Sequence, residues 1–229
     1  MMIKNPFRTV FAAIDGIDFS GKSEAYERVR KVLSMYHKDV PIRYSKEPDR
    51  NRLSGAEIYL LLEGKHPQYK LEDMSPSRFQ AYYIRDRMYN YRYNILPALF
   101  SGQHDLQDRC MASSFAYGAE GPGDFSDFMG MHELIFDGAG VEFIWPDKII
   151  IVDVPVEVAL DRATRANRLK DKLETKEKLL KARAHYLEFA RCYPNCEVID
   201  GNRDPQEVFI DVKRSLFGIM GIRSVSGTA

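Results

Sequence analysis

The amino-acid sequence predicts an α/β protein in which helices cover both faces of a five-stranded parallel sheet. The first observation is that five short strand-like runs alternate with longer segments whose apolar residues recur at helical spacing. The second is a glycine-rich stretch directly after the first run, where a strand should pass into a helix. The third is the length of 229 residues with 45% hydrophobic residues, which allows one large core. We therefore expect a single domain spanning residues 1–229.

The predicted strands differ in how clearly they appear. The fourth is the clearest, because it is a continuous run of isoleucine and valine residues. The third is short and leads into Asp108 and Arg109, and the fifth is stopped by Gly201. The predicted strands are residues 8–14, 40–44, 104–107, 148–154 and 196–200.

Segments of helical periodicity lie between these strands. The longest begins at Pro76, which suits the first turn of a helix because that turn leaves its N–H groups unpaired. The segment from Ala119 to Gly130 is rich in Gly, Asp and Pro, and it is predicted to form a long loop. The predicted helices are residues 24–37, 76–99, 156–166, 176–193 and 204–216.

The glycine-rich stretch from Gly16 to Ser23 has the pattern G-x-x-x-x-G-K-S. In this pattern the backbone wraps around a phosphate with its N–H groups turned inward, and the following helix adds positive potential. Lys22 is placed for the β- and γ-phosphates and Ser23 for Mg²⁺. The pattern therefore predicts a three-layer P-loop NTPase fold that binds ATP and Mg²⁺. The predicted ATP-binding residues are Gly16, Asp18, Phe19, Ser20, Gly21, Lys22 and Ser23.

Asp108 and Arg109 follow the third predicted strand, and ligands of open α/β sheets bind at the carboxyl ends of the strands. A carboxylate there can orient Mg²⁺ or its water, and an arginine can hold phosphate oxygens with its forked donor group. An Asp-Arg pair taken alone is more often a surface ion pair. The position after a strand favours a phosphate site, with Ser23 and Asp108 as metal-binding residues.

Tyr83 and Arg87 share one face of the long predicted helix, since they are four residues apart. An aromatic ring and a guanidinium group together can stack on a nucleobase and hydrogen-bond to it. The alternative is an aromatic stripe that faces the core, with the charged residues in water. The segment by itself leaves both interpretations open.

Arg162, Arg165 and Arg168 also lie on roughly one helix face. The functional interpretation is a lid over residues 162–174 that closes on the transferred phosphate, and the alternative is an ordinary solvated helix. Phe19 leaves the glycine-rich loop without a cation of its own, so Arg162 or Arg165 would have to supply it.

The composition argues against several classes of partner. With 33 basic and 33 acidic residues the net charge is zero, so a surface for a nucleic-acid polymer is not expected. No apolar segment has the length of a membrane helix, and no signal peptide is apparent. The three cysteines lack metal-site spacing and suit a reduced compartment. We expect a cytoplasmic protein with a flexible tail at residues 221–229.

Taken together, these motifs resemble the thymidylate kinase family of P-loop nucleoside-monophosphate kinases over residues 11–217. The motifs occur in the family's order and at the family's spacing. The matching segments are Ile14–Ser23 (the glycine-rich loop), Glu47-Pro48, Tyr83–Arg87 (F-x-A-D-R), Asp108–Tyr117 (D-R-Y-x-x-S-x-x-A-Y) and Pro146–Arg162 (P-D…D-V-P-x-E-x-A-L-x-R).

The resemblance implies transfer of the γ-phosphate of ATP to dTMP, in an enzyme whose relatives are commonly homodimers. It implies that Asp18 accepts the sugar 3′-hydroxyl, that Tyr83 stacks on the base and that Arg87 hydrogen-bonds to the base. It also implies that Tyr117 lies beside the sugar 2′ carbon and disfavours ribonucleotides. The acceptor-binding residues are then Asp18, Glu47, Tyr83, Arg87, Arg109, Ser113 and Tyr117, and the catalytic residues are Lys22, Asp108, Arg109, Arg162 and Arg165.

Several residues depart from the family pattern, and they lie on the acceptor side or at its edge. The alternatives are therefore another or a modified deoxynucleotide, or a deoxynucleoside, as acceptor. A nucleotide-binding regulator without an acceptor is a further alternative, although residues 83–87 and 108–109 favour a second nucleotide pocket. The departures are Asp15, Glu24, Lys46, Asp49–Asn51, Cys110 and Gly118.

Overall fold

The computed structural model describes residues 3–119, 124–166 and 175–223. Within them, five strands form one sheet in the order β2-β3-β1-β4-β5, and each neighbouring pair is parallel. The predicted five-stranded parallel sheet is therefore confirmed. The strands are β1 (Phe11–Asp15), β2 (Ile42–Lys46), β3 (His104–Asp108), β4 (Lys148–Asp153) and β5 (Cys196–Asp200).

Helices connect the strands and lie on both sides of the sheet. The predicted start at Pro76 is correct, and the Ser75 hydroxyl caps that helix by accepting a hydrogen bond from the N–H of Arg78. Among the described residues, no helix combines the length and the apolar content that crossing a bilayer requires. The helices are α1 (Lys22–Tyr36), α2 (Leu53–Leu62), α3 (Pro76–Asn90), α4 (Leu96–Phe100), α5 (Met111–Gly118), α6 (Asp124–Gly138), α7 (Val156–Arg165), α8 (Lys176–Cys192) and α9 (Pro205–Met220).

Each face of the sheet has its own hydrophobic core. Successive side chains of a strand point to opposite faces, so Ala12 and Ile14 of β1 belong to one core while Phe11 and Ala13 belong to the other. Helices α1 and α9 cover the first core, and α3, α5, α6 and α8 cover the second. Two helical layers around one sheet confirm the three-layer P-loop fold.

The long loop predicted over Ala119–Gly130 is wrong from residue 124 onward, because α6 begins there. Phe128 and Met129 are both buried in the second core, and Phe136 follows two turns later. Gly130 has open space around it, so it does not disturb the helix. Burial of these side chains outweighs the low helix propensity of the Gly- and Asp-rich sequence.

The single helix predicted over residues 76–99 is divided into two helices in the structure. A π-helical turn from Tyr91 to Ile95 separates α3 from α4. Pro97 lies in the first turn of α4 and has no N–H to donate to the preceding turn, which favours such a change of winding. The buried Tyr91 hydroxyl donates to the carbonyl oxygen of Ile144 at 2.7 Å and fixes this turn against the core. The sequence also gave no indication of α2 and α5, which are both short.

The strand register brings the predicted site residues to one edge of the sheet. Asp15 ends β1, Lys46 ends β2 and Asp108 ends β3. Asp108 lies opposite Ile14 on one side and Lys46 on the other. Since all strands are parallel, their carboxyl ends meet where the glycine-rich loop leaves β1.

Candidate active site

The glycine-rich loop joins β1 to α1, and its first glycine sets its path. Gly16 has a φ of 144°, and a Cβ atom there would lie 2.5 Å from the carbonyl oxygen of Val152. Only glycine fits so close to the neighbouring strand, so the chain can turn directly over the sheet edge. Ser20 is buried, and its hydroxyl accepts a hydrogen bond from the N–H of Lys22 at 3.4 Å. Gly21 is the last residue before α1.

Lys22 is buried inside this loop. Its Nζ donates to the carbonyl oxygen of Ile17 at 3.2 Å and lies 3.7 Å from Oδ1 of Asp18. Burial lowers the pKa of Lys22 to about 8, and the nearby charge of Arg109 contributes, while Asp18 and other carboxylates oppose the shift. Phosphate oxygens placed beside this ammonium group would stabilise its charged form.

Ser23 and Asp108 lie together beside the loop. The Ser23 hydroxyl donates to Oδ2 of Asp108 at 3.2 Å, and Nζ of Lys46 lies 3.8 Å from the same oxygen. The other carboxylate oxygen, Oδ1, is buried and accepts no hydrogen bond from any described residue. A free carboxylate oxygen next to a hydroxyl suits a hard cation that takes oxygen ligands. These two residues therefore fit Mg²⁺.

Arg109 links the loop to a neighbouring cluster of polar side chains, Asp18, Ser113 and Tyr117, which is called the Asp18 pocket below. Its guanidinium donates to the carbonyl oxygen of Gly16 at 3.3 Å and to the hydroxyl of Ser113 at 3.1 Å, and it forms an ion pair with Asp18. Its φ of 68° lies in the left-handed region, which costs roughly 1–3 kcal/mol for a bulky residue. The surrounding contacts hold this conformation, which points the guanidinium back over the sheet edge.

Asp18 and Tyr117 form the wall of that pocket. The Tyr117 hydroxyl donates to Oδ2 of Asp18 at 3.1 Å and accepts from the N–H of Asp18 at 3.1 Å. Burial would raise the pKa of Asp18, but the charges of Arg109 and Lys22 and the Tyr117 hydrogen bond lower it overall. Asp18 is therefore a carboxylate at neutral pH and can accept a hydrogen bond from a substrate hydroxyl.

Asp15 organises the buried side of the pocket, although it was noted in the sequence only as a departure from the family. Its carboxylate accepts hydrogen bonds from the Ser113 and Tyr186 hydroxyls, both at 2.7 Å. It also accepts from the N–H groups of Gly16 at 2.8 Å and Cys110 at 3.0 Å. Ser113 therefore ties α5 to β1 and supports Arg109.

Arg87 lies in a buried polar network between α3, α5 and α6. Its Nε donates to Glu47 at 2.7 Å, and its Nη1 donates to the Ser114 hydroxyl at 3.0 Å. Nη1 also lies 2.8 Å from Nε2 of His132. Burial raises the pKa of Glu47, and the charge of Arg87 opposes that shift. The structure thus brings two predicted acceptor residues, Glu47 and Arg87, into direct contact.

Tyr83 lies one helical turn before Arg87 on α3. Its ring packs edge-on against Phe79, with 5.2 Å between the ring centroids. Burial raises the pKa of its hydroxyl, and the charges of Arg109 and Asp18 act on it in opposite directions. Tyr83 therefore shares one face of α3 with Arg87.

Arg162 holds the glycine-rich loop from the other side. Its guanidinium donates to the carbonyl oxygens of Phe19 at 3.3 Å, Ser20 at 2.9 Å and Gly201 at 2.9 Å. Arg162 therefore fastens the loop to the turn after β5.

Arg165 has different surroundings, although it belongs to the same helix α7. Its side chain is 78% exposed and pairs with Asp161 at 2.7 Å. Arg168 and the rest of the predicted lid, residues 167–174, lie outside the described residues, as does the predicted tail from residue 224.

We expect Arg162→Ala to raise the KM for ATP by about tenfold, because three hydrogen bonds from a charged group to the loop are lost. Arg165→Ala should instead lower kcat with little effect on that KM, as expected for an arginine that acts on the transferred group. Steady-state kinetics with varied ATP separates the two effects, with Lys181→Ala on α8 as control. An Arg162→Ala variant with wild-type KM and kcat would show that its contacts are dispensable.

Two polar residues of the site were not identified from the sequence. Asp86 accepts hydrogen bonds from Arg52 at 2.8 Å and Ser54 at 2.6 Å, and so ties α2 to α3. His132 contacts Arg87 but lies in a helix that was not predicted. Asp86 belongs to the motif segment Tyr83–Arg87, and its place beside Arg87 is the one feature of the sequence that points to it.

A loop for triphosphate on one side of Arg109 and a polar pocket on the other side define a P-loop kinase that phosphorylates a second small molecule. The phosphate loop and the pocket share Asp18, which contacts both Lys22 and Tyr117. A regulator that only binds one nucleotide has no need of the second pocket.

Comparison with known proteins identifies the family within this class of kinases. The family model of thymidylate kinase matches residues 14–212, and the chain belongs to that family. The thymidylate kinase of Nitratidesulfovibrio vulgaris is 30% identical over 221 residues, 92% of this chain and 97% of its own. That of Neisseria gonorrhoeae is 31% identical over 216 residues, with 92% and 98% covered. A probable thymidylate kinase of Archaeoglobus fulgidus is 28% identical over 214 residues, with 93% and 98% covered. The resemblance stated from the motifs is confirmed.

Proposed function

We propose that the protein transfers the γ-phosphate of ATP to dTMP and forms dTDP and ADP. The observation that carries the proposal is the position of Arg109, whose guanidinium contacts both the glycine-rich loop at Gly16 and the pocket residue Asp18. A phosphate held by this guanidinium lies between the two nucleotide sites.

The chemical step is an in-line displacement at phosphorus. An oxygen of the dTMP phosphate forms a bond to the γ-phosphorus while the bond to the β,γ-bridging oxygen breaks, and that oxygen leaves with ADP. Lys22 and the loop N–H groups stabilise the negative charge that moves to the bridging oxygen. Ser23 and Asp108 would hold Mg²⁺, and the bound ion would neutralise part of the phosphate charge.

The acceptor pocket suits a pyrimidine deoxynucleotide. The Asp18 carboxylate accepts the sugar 3′-hydroxyl, and Tyr117 lies beside the 2′ carbon, where a ribose hydroxyl would be crowded. Tyr83 stacks on the base, Arg87 donates to it, and Glu47 keeps Arg87 in place.

Further features belong to the same proposal. Arg162 and Arg165 begin a lid over residues 162–174 that excludes water during transfer, within a single domain over residues 1–229. The three free cysteines suit the reducing cytoplasm. The substrates are small nucleotides, and a homodimer is the proposed assembly.

A coupled assay with a panel of acceptors tests the function. We expect dTMP to be phosphorylated with a higher kcat/KM than AMP, GMP or CMP, and turnover to require Mg²⁺, because the pocket residues match a pyrimidine deoxynucleotide. AMP or GMP as best acceptor would refute the proposal. A preference for dUMP or a modified dUMP would leave the proposed kinase activity standing and would change only the identity of the acceptor.

A further inference from the structure

Tyr186 is a buried tyrosine whose hydroxyl reaches a carboxylate at the carboxyl edge of the sheet. It lies on α8 and is 1% exposed, and its hydroxyl donates to Oδ1 of Asp15 at 2.7 Å. Burial raises the pKa of Tyr186 well above its ordinary value, and the charge of Asp15 adds to that shift, so the hydroxyl keeps its hydrogen. The same carboxylate oxygen lies 3.5 Å from Nη1 of Arg109. Tyr186 therefore contacts a charged group that itself pairs with Arg109.

Asp15, Ser113 and Tyr186 form a triangle of short oxygen contacts. Oδ1 of Asp15 lies 2.7 Å from each hydroxyl oxygen, and the two hydroxyl oxygens lie 2.9 Å apart. A carboxylate carries no hydrogen, so two hydroxyl hydrogens serve the three contacts. The Ser113 oxygen also accepts a hydrogen bond from Nη1 of Arg109 at 3.1 Å. The oxygen that holds Arg109 is therefore itself held from two sides, by Asp15 and by Tyr186.

Helix α8 is fixed to the same edge of the sheet. Arg183 lies three residues before Tyr186 on the same helix face, and it donates to both carboxylate oxygens of Asp153, at 2.8 and 2.9 Å. Asp15 ends β1 and Asp153 ends β4, and these strands are neighbours in the sheet. The helix is thus attached at the ends of two adjacent strands, which gives the Tyr186 hydroxyl a defined place beside Asp15.

We propose that Tyr186 is a positioning residue for phosphoryl transfer, because its hydroxyl fixes Asp15 and Ser113, which in turn fix the guanidinium of Arg109 against the acceptor phosphate. This proposal rests on the proposed function. Arg109 has a left-handed φ of 68°, a conformation that depends on the contacts around it. Loss of the Tyr186 hydroxyl leaves one hydroxyl hydrogen for the triangle, so the Ser113 oxygen can shift and the guanidinium with it. A displaced acceptor phosphate is no longer in line with the γ-phosphorus.

The test is Tyr186→Phe, which removes the hydroxyl and keeps the ring. We expect kcat with dTMP to fall by about tenfold, the effect of one hydrogen bond to a charged group, while the KM for ATP stays within about twofold of wild type. The two constants separate because Arg109 serves the acceptor, whereas the loop contacts of Lys22 and Ser23 are kept. Steady-state kinetics measures both constants, with the melting temperature as the check on folding.

Tyr91→Phe is the matched control. Tyr91 is also 1% exposed in the same core, and its hydroxyl donates at 2.7 Å to the carbonyl oxygen of Ile144, which precedes the amino end of β4. Both variants should lower the melting temperature, because each loses a buried hydrogen bond, but Tyr91→Phe should keep wild-type kcat. Wild-type kcat in Tyr186→Phe as well would assign Tyr186 a purely structural role and overturn the inference.

A double variant separates a route through Arg109 from a general loss of order. If Tyr186 acts through the guanidinium, Tyr186→Phe added to Arg109→Lys should lower kcat by less than about twofold further, whereas independent effects would multiply. A further loss of about tenfold would overturn the inference. Should Tyr186→Phe not fold, Ser113→Ala replaces it, since it breaks the link between Tyr186 and Arg109, and wild-type kcat in that variant would overturn the inference too.

The acceptor panel distinguishes failure of this inference from failure of the proposed function. Wild-type kcat in Tyr186→Phe, in a protein that phosphorylates dTMP, overturns this inference alone. If the wild-type protein prefers another deoxynucleotide, the dTMP assignment fails, and the same variants are measured with that acceptor. If it phosphorylates no nucleotide, Arg109 holds no acceptor phosphate, and the inference fails with the proposed function.

Discussion

We expect Lys22→Met to lower kcat by roughly a hundredfold or more while the protein remains folded. Lys22 is buried within the glycine-rich loop, and its ammonium group lies 3.7 Å from Asp18 at the junction of the two nucleotide sites. Methionine fills a similar volume but cannot stabilise the charge that develops on the transferred phosphate. The measurement is steady-state turnover with ATP and dTMP, with the melting temperature as the check on folding.

The matched control is Lys31→Met, the same change at an exposed position of α1, which should retain wild-type kcat. The pH dependence gives a second readout. Below its pKa of about 8 Lys22 is charged, so ATP affinity should weaken as the pH rises from 8 to 9.5, and Lys22→Met should lack this trend. Wild-type turnover in Lys22→Met would show that the loop does not bind the transferred phosphate.

Replacement of Arg109 by lysine should lower kcat with dTMP by roughly a hundredfold, although the charge is retained. The guanidinium contacts Asp18, Ser113 and the carbonyl oxygen of Gly16 at once, and a single ammonium group cannot reproduce that fork. The acceptor phosphate would then be held in the wrong position for in-line attack. Because this residue serves the acceptor, ATP affinity measured by calorimetry should change far less than kcat.

Arg214→Lys is the control for this substitution, since that side chain is 74% exposed on α9 and pairs only with Asp211 among the described residues. It should have wild-type kinetics. If Arg109→Lys keeps wild-type kcat with dTMP, Arg109 does not hold the acceptor phosphate, and the polar side chains around Asp18 and Tyr117 must serve another purpose.

The elements that sequence reasoning predicted best are those with a strong local pattern. The strand around Ile149 and Ile150 is buried on both faces, and its apolar run is continuous. The glycine-rich loop has fixed spacing, because the backbone geometry around a phosphate permits few residue types. The segment that became α6 was predicted as a loop, since its helix is stabilised by the burial of Phe128 and Phe136 and not by local propensity.

The site residues that could be predicted from the sequence were likewise those with a strong local pattern. Motif spacing identified Lys22, Asp108 and Arg109 because they occupy fixed positions next to a strand end. His132 carries no motif of its own, and its significance comes from its contact with Arg87, 45 residues away in the chain.

The sequence by itself determined the class of this protein, since a strand, a phosphate loop and a helix in succession can be recognised without any long-range contact. Only the tertiary structure decided which polar groups meet. Arg87 reaches Glu47, Ser114 and His132 across gaps of 40, 27 and 45 residues. Whether a side chain is paired or left free depends on helix packing, and packing joins positions whose separation along the chain follows no local period.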